Sequence, residues 1–120
     1  MNKKTLVMGA STNPERYSSI AVKKLVNHGH ETLAFGLRAG EIRGVKIDTA
    51  LVLYDTIDTV TLYLNPIHQK AYYDYIVALQ PKRVIFNPGT ENPEFYGILE
   101  ANNIAFEVAC TLVLLSTNQY

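Results

Sequence analysis

Short apolar runs alternate along this chain with longer segments whose apolar residues recur three or four positions apart. The first run, about Thr5 to Gly9, reads as a strand. Ala21, Val22, Leu25 and Val26 then form the stripe of a helix that Ser18 or Ser19 caps and Gly29 ends. A second strand follows near Glu31 to Phe35. The next stretch is irregular, with Gly36, Gly40 and Gly44, and Val45-Lys46-Ile47 is at most a brief strand. Thr49 to Thr56 is ambiguous, with a helical turn as one reading. A third strand, Thr59 to Leu64, is apolar enough to be buried, and Asn65-Pro66 opens a helix with Ala71, Tyr72, Tyr75, Ile76 and Leu79 on one face. Arg83 to Phe86 is the fourth strand, and Asn92-Pro93 opens a helix carrying Phe95, Ile98 and Leu99. The fifth lies near Ile104 to Val108, and Thr111 to Thr117 reads as a short helical tail.

Strands alternating with helices predict a parallel sheet covered on both faces. The expected fold is therefore α/β: a Rossmann-like, doubly wound, parallel five-stranded sheet in the order 3-2-1-4-5, which puts a switch point beside strand one. The 120 residues suit one domain spanning positions 1–120. Nearly half are apolar, yet no apolar run approaches the roughly 20 residues that span a bilayer. Met1-Asn2-Lys3-Lys4 leads straight into the first strand, so a cytoplasmic, membrane-free protein is expected. A single cysteine excludes an internal disulfide framework, and no Cys/His spacing suggests a metal site. Eleven basic residues balance eleven acidic ones, which speaks against nucleic acid as partner but not against a small anion.

The chemistry is concentrated in Gly9-Ala10-Ser11-Thr12-Asn13-Pro14-Glu15-Arg16-Tyr17-Ser18-Ser19. A glycine turn after a strand, leading into a helix, aims backbone N–H groups and a helix dipole at an anion such as phosphate. Arg16 adds a forked, charge-assisted contact. At the end of the second strand a NAD site needs an Asp or Glu for the ribose hydroxyls. None occurs between Glu31 and Glu41; Gly36-Leu37-Arg38 stands there instead. A cation at this corner suits a ribose bearing its own phosphate, as in NADP or coenzyme A. A solvated loop charge is the bland alternative for Arg38.

The pattern Gly9-Ala10-Ser11-x-x-Pro14-x-Arg16-x-Ser18 resembles the opening of the small stand-alone coenzyme A-binding proteins, relatives of the N-terminal CoA-binding domain of the succinyl-CoA synthetase α subunit and of ADP-forming acyl-CoA synthetases. The resemblance continues through Gly29-His30-Glu31, Gly36-x-Arg38 with Gly44, Asp58-Thr59-Val60, Asn87-Pro88-Gly89-Thr90-Glu91-Asn92 and Cys110. It implies non-covalent binding of coenzyme A or an acyl-CoA. It also implies no catalytic step, because the reacting parts of the synthetases lie in other domains. An NADP-binding oxidoreductase-type domain and a CoA-sensing regulatory module acting through a protein partner are the alternatives, and a homo-oligomer is compatible with all three.

Four of the five prolines follow asparagine. Asn13-Pro14, Asn65-Pro66 and Asn87-Pro88 follow strands one, three and four, hence lie on the edge of a parallel sheet where ligands bind. The expected ligand contacts are thus Gly9, Ala10, Ser11, Thr12, Pro14, Arg16, Ser18 and Ser19 in the first loop and helix start, Gly36 and Arg38 after strand two, Asn65 and Pro66, and Asn87, Pro88, Gly89 and Thr90. His68, in the first turn of a helix beside this edge, is either a site group or an exposed histidine. Cys110 either meets a ligand thiol or packs as a small hydrophobe.

Overall fold

The computed structural model describes residues 2–120. At its centre β1 (Thr5–Met8) is buried along its whole length. It pairs in parallel with β2 (Thr32–Phe35) on one side and β5 (Thr59–Leu62) on the other. Beyond β5 lie β6 (Arg83–Phe86) and β7 (Ala105–Val108), also parallel. Beyond β2 lies β4 (Val45–Asp48), parallel to it, and then β3 (Gly40–Ile42), antiparallel to β4. Among the described residues the sheet has seven strands in the order β3-β4-β2-β1-β5-β6-β7.

This corrects the expected five strands and their order. The segment expected as strand three, here β5, does not lie outside strand two; it pairs directly with β1, Leu6 opposite Val60 and Met8 opposite Leu62. The place outside β2 goes to β4, brought there by a tight hairpin. Arg43 (φ 52°) and Gly44 (φ 80°) form its two-residue loop between the paired Ile42 and Val45, and two positive φ values are what such a turn requires.

Period-2 alternation divides the strands between two cores. Leu6, Met8, Val60, Leu62, Val84 and Phe86 face α3 (Tyr73–Leu79) and α4 (Pro93–Ala101). Val7, Ala34, Ile47 and Ile85 face α1 (Tyr17–Asn27) and α5 (Thr111–Ser116). Each fully buried Leu, Ile or Phe contributes roughly 1.5–3 kcal/mol. Between β5 and α3, α2 (Pro66–Gln69) and a 3-10 turn over Lys70–Tyr72 replace the single expected helix.

Local sequence explains the helix ends. Asn65 Oδ1 accepts from His68 N (3.0 Å), and Asn92 Oδ1 from Phe95 N (3.3 Å), each asparagine standing just before a proline at the first helical position. α1 ends as the sequence predicts: Gly29 adopts φ 82°, its N–H donates to Val26 O, and His30 N–H donates to Leu25 O. Its start differs. Arg16, not Ser18 or Ser19, holds the N-cap position, and no side chain caps it.

Because α1 covers one face and α3 the other, the chain leaves the sheet in opposite directions from β1 and β5. A crevice opens between them above the C-terminal ends of the strands.

Candidate phosphate-binding crevice

A cleft of about 850 Å³ occupies that switch point, large enough for a nucleotide-sized ligand. Four loops and one helix start wall it, following β1, β2, β5 and β6. From the first loop and α1 it draws Gly9, Ala10, Ser11, Thr12, Arg16 and Ser18. The loop after β2 contributes Arg38, that after β5 Asn65, and that after β6 Pro88, Gly89 and Thr90. These expected residues, far apart in sequence, therefore meet at one cavity.

Five others do not line it. Ser19 is on the buried face of α1 at 1% exposure, and Pro14 in the first loop and Pro66 at the start of α2 do not line the cavity. Gly36 is a packing position, since a Cβ there would stand 2.4 Å from Ala10 O. Asn87 is an internal staple: Nδ2 donates to Thr61 Oγ1 (2.7 Å) and Leu62 O (2.8 Å), while Oδ1 accepts from Thr111 N (2.9 Å). Its polar capacity is spent joining β5, β6 and α5.

The cleft also recruits Asn13, Tyr17, Leu37, Tyr63, Leu64 and His68. Asn13, Tyr17 and Leu37 sit within the quoted motifs, so proximity to them was the available signal. Tyr63 and Leu64 carried none, because an apolar run before Asn-Pro reads as strand interior.

Backbone donors in the first loop are divided. The N–H groups of Gly9 and Ala10, expected to face a ligand, both donate to Phe35 O (3.0 and 2.9 Å) and splice the loop to the end of β2. Asn13 N donates to Ser11 Oγ, Glu15 N to Asn13 Oδ1, and Arg16 N to Asn13 O. The N–H groups of Ser11, Thr12, Tyr17 and Ser18 have no hydrogen-bond partner among the described residues. Two lie in the loop and two in the open first turn of α1, where the helix dipole is positive. No acidic residue occupies that first turn.

Charge agrees. Arg16 and Arg38 line the cleft, and neither pairs with a carboxylate among the described residues. Among the described residues no Asp or Glu lines it. Deeper in, the Tyr63 hydroxyl is buried without a hydrogen-bond partner, although the Thr61 and Thr111 hydroxyls lie close and bond each other at 2.8 Å. Burial pushes the Tyr63 phenol well above its ordinary value. Cys110 is half-buried and precedes α5, outside the cleft lining. Among the described residues no group of three or more His, Cys, Asp or Glu is arranged to hold a metal, and no helix is long and apolar enough to cross a membrane.

The model of a family described as a CoA binding domain matches residues 3–116. A crystal structure of an uncharacterized protein is 46% identical, with a TM-score of 0.97, covering 100% of this chain and 99% of that one. A hypothetical protein from Pyrococcus horikoshii OT3 is 24% identical, with a TM-score of 0.85 over 98% of this chain and 83% of that chain. A dinucleotide-forming acetyl-coenzyme A synthetase from Ca. Korarchaeum cryptofilum, solved with phosphate and ADP, shares the fold at 16% identity and a TM-score of 0.69. That match covers 88% of this chain but 25% of the synthetase. No curated protein matches.

Proposed function

Since the chain belongs to the CoA-binding domain family, we propose that its crevice holds coenzyme A or an acyl-CoA non-covalently, without performing a chemical step on it. The observation that carries this reading is a cleft that, among the described residues, has two unpaired guanidinium groups, four free backbone N–H groups and no carboxylate. Such a surface, rich in donors and without an anionic side chain among the described residues, suits a ligand with several phosphates.

In this reading the Ser11, Thr12, Tyr17 and Ser18 N–H groups and Arg16 grip the diphosphate. Arg38 meets the phosphorylated ribose. Asn65, His68 and the Pro88–Thr90 loop border the pantetheine arm. Gly9, Ala10 and Gly36 act through the backbone, holding the loop in place.

NADP also carries a ribose phosphate and is the rival ligand, favoured by the same absence of a carboxylate after β2. Isothermal titration with each compound separately decides between them. Micromolar binding of CoA with NADP silent supports the reading, and the reverse overturns it. A protein partner that responds to the loaded state is compatible with this function, and a pull-down repeated with and without CoA tests for one.

A further inference from the structure

The short helix α2 is fastened by one buried side chain, and that side chain is polar. Of Pro66–Gln69 only Gln69 is buried, at 0% exposure, whereas Ile67 is 80% exposed. Apolar packing of α2 itself therefore does little to fix this segment, although Leu64, Asn65 and His68 line the crevice. The Gln69 amide does it instead. Nε2 donates to Leu64 O and to Thr90 O (2.8 Å each), while Oε1 accepts from Asn92 Nδ2 (2.9 Å). Both amide protons and the carbonyl oxygen are thus engaged.

The orientation of that amide is dictated from the main chain. Phe95 N donates to Asn92 Oδ1 (3.3 Å), so Asn92 presents Nδ2 to Gln69, which must turn Oε1 toward it and Nε2 toward the two carbonyls. One of those carbonyls belongs to the loop after β6. Thr90 closes a turn there, its N (3.0 Å) and Oγ1 (2.7 Å) both donating to Asn87 O, and Pro88, Gly89 and Thr90 line the crevice. Among the described residues, the bond from Gln69 Nε2 to Thr90 O is the one hydrogen bond between residues 63–69 and 88–90. Gln69 itself does not line the crevice. It acts through the loops it joins.

Resting on the CoA reading above, in which these loops border the pantetheine arm, we infer that Gln69 is a positioning residue for that arm: its amide clasps the loop after β5 to the loop after β6 before any ligand arrives. A wall already in place need not be ordered on binding, and preorganisation of this kind raises affinity. The clasp is separate from the cationic side of the crevice. Arg16 and Arg38 follow β1 and β2, whose loops are joined by the Gly9 and Ala10 N–H groups donating to Phe35 O. Arm and phosphates are therefore held by walls with independent fastenings.

The test titrates the intact chain with coenzyme A and with adenosine 3′,5′-bisphosphate, which lacks the arm. Gln69→Met keeps the length of the side chain and removes its amide. It should weaken CoA about tenfold and leave the bisphosphate unchanged. A merely structural role would not split the two ligands in this way, since general loosening weakens both. If the wild type binds CoA, but the variant binds it equally well or loses both ligands alike, the clasp is overturned and the CoA reading stands. If the wild type binds neither compound, both fall. The coupling is also readable without substitution, because a clasp that favours the arm is favoured by it. In the wild type saturated with each ligand in turn, NMR should show the Gln69 Nε2 protons exchanging with solvent more slowly under CoA than under the bisphosphate. Equal rates overturn the clasp even where Gln69→Met does not fold.

Discussion

Gly36 and Ala10 meet main chain to main chain: a Cβ built on Gly36 would stand 2.4 Å from the Ala10 carbonyl oxygen. Contacts that short do not occur between real atoms, and the obstacle is backbone, so no rotamer change relieves it. The two residues lie just beyond paired strand ends, where Gly9 and Ala10 both donate to Phe35 O. This weld holds the first loop against the end of β2, and Ser11, Thr12, Leu37 and Arg38 all line the cleft.

Gly36→Ala is therefore expected to force the first loop away from β2. Overpacking of this kind costs about 1–3 kcal/mol. A urea titration should show the lower stability, and CoA titration a weaker affinity measured well below the unfolding midpoint. A variant as stable as wild type would remove the weld from the account.

Arg16 and Arg38 are exposed and lack carboxylate partners among the described residues, so they are free to serve a ligand. Arg16→Ala and Arg38→Ala should each weaken CoA about tenfold, the magnitude of one hydrogen bond to a charged group. The melting temperature without ligand should not move. Lysine at position 16 should recover little, because a point charge lacks the guanidinium fork.

Asn87 behaves differently. With three internal hydrogen bonds it belongs to the scaffold, and Asn87→Ala leaves the Thr111 N–H buried without its partner. A loss of about 1–3 kcal/mol in chemical denaturation is expected, with CoA affinity at low denaturant close to wild type. Lost affinity at full stability would mean that Asn87 touches the ligand after all.

Tyr63→Phe should be neutral or stabilising, since it deletes a buried hydroxyl that has no partner. Thermal unfolding of the two proteins side by side measures it, and a clear loss of stability would point to a hydrogen bond at that hydroxyl.

His30 gives the stability a pH dependence. Its Nδ1 accepts from the Lys3 N–H at 2.9 Å, and its ring stands edge-on to Tyr120. Burial, followed by the positive charges of His28, Lys3 and Arg83 among others, lowers its pKa below the ordinary 6.5. The unfolded chain then takes up the proton more readily than the folded one, so this contribution is present above about pH 6.5 and is lost as pH falls below it. Urea midpoints at about pH 7.5 and pH 5 should differ more in the wild type than in His30→Asn, which keeps an acceptor but does not titrate. Equal slopes would exclude His30 as the cause.

Much of this could be read along the chain. The Gly9–Ser18 loop, the glycine stop of α1 and the Asn-Pro helix entrances depend on neighbours within a few residues, and the structure has them where the sequence puts them. The β3–β4 hairpin escaped because its turn is Arg43-Gly44; arginine is an unusual residue for a positive φ. The serine cap failed because both serines are buried against the core while Tyr17 starts the helix. Asn87 shares its Asn-Pro context with Asn65, yet one is a buried staple and the other caps a helix beside the cleft.

Local chemistry, then, was decided by the order of residues: alternation specifies which side of a strand is apolar, and turn residues specify where the chain reverses. Which strands become neighbours was decided only by the folded whole. The pairing of β1 with β5 joins segments more than fifty positions apart, and its stability comes from burying both faces at once against helices that neither strand's own sequence names. The same long-range packing determined which asparagine is structural, which amides are free, and that Arg16 and Arg38 share one cavity.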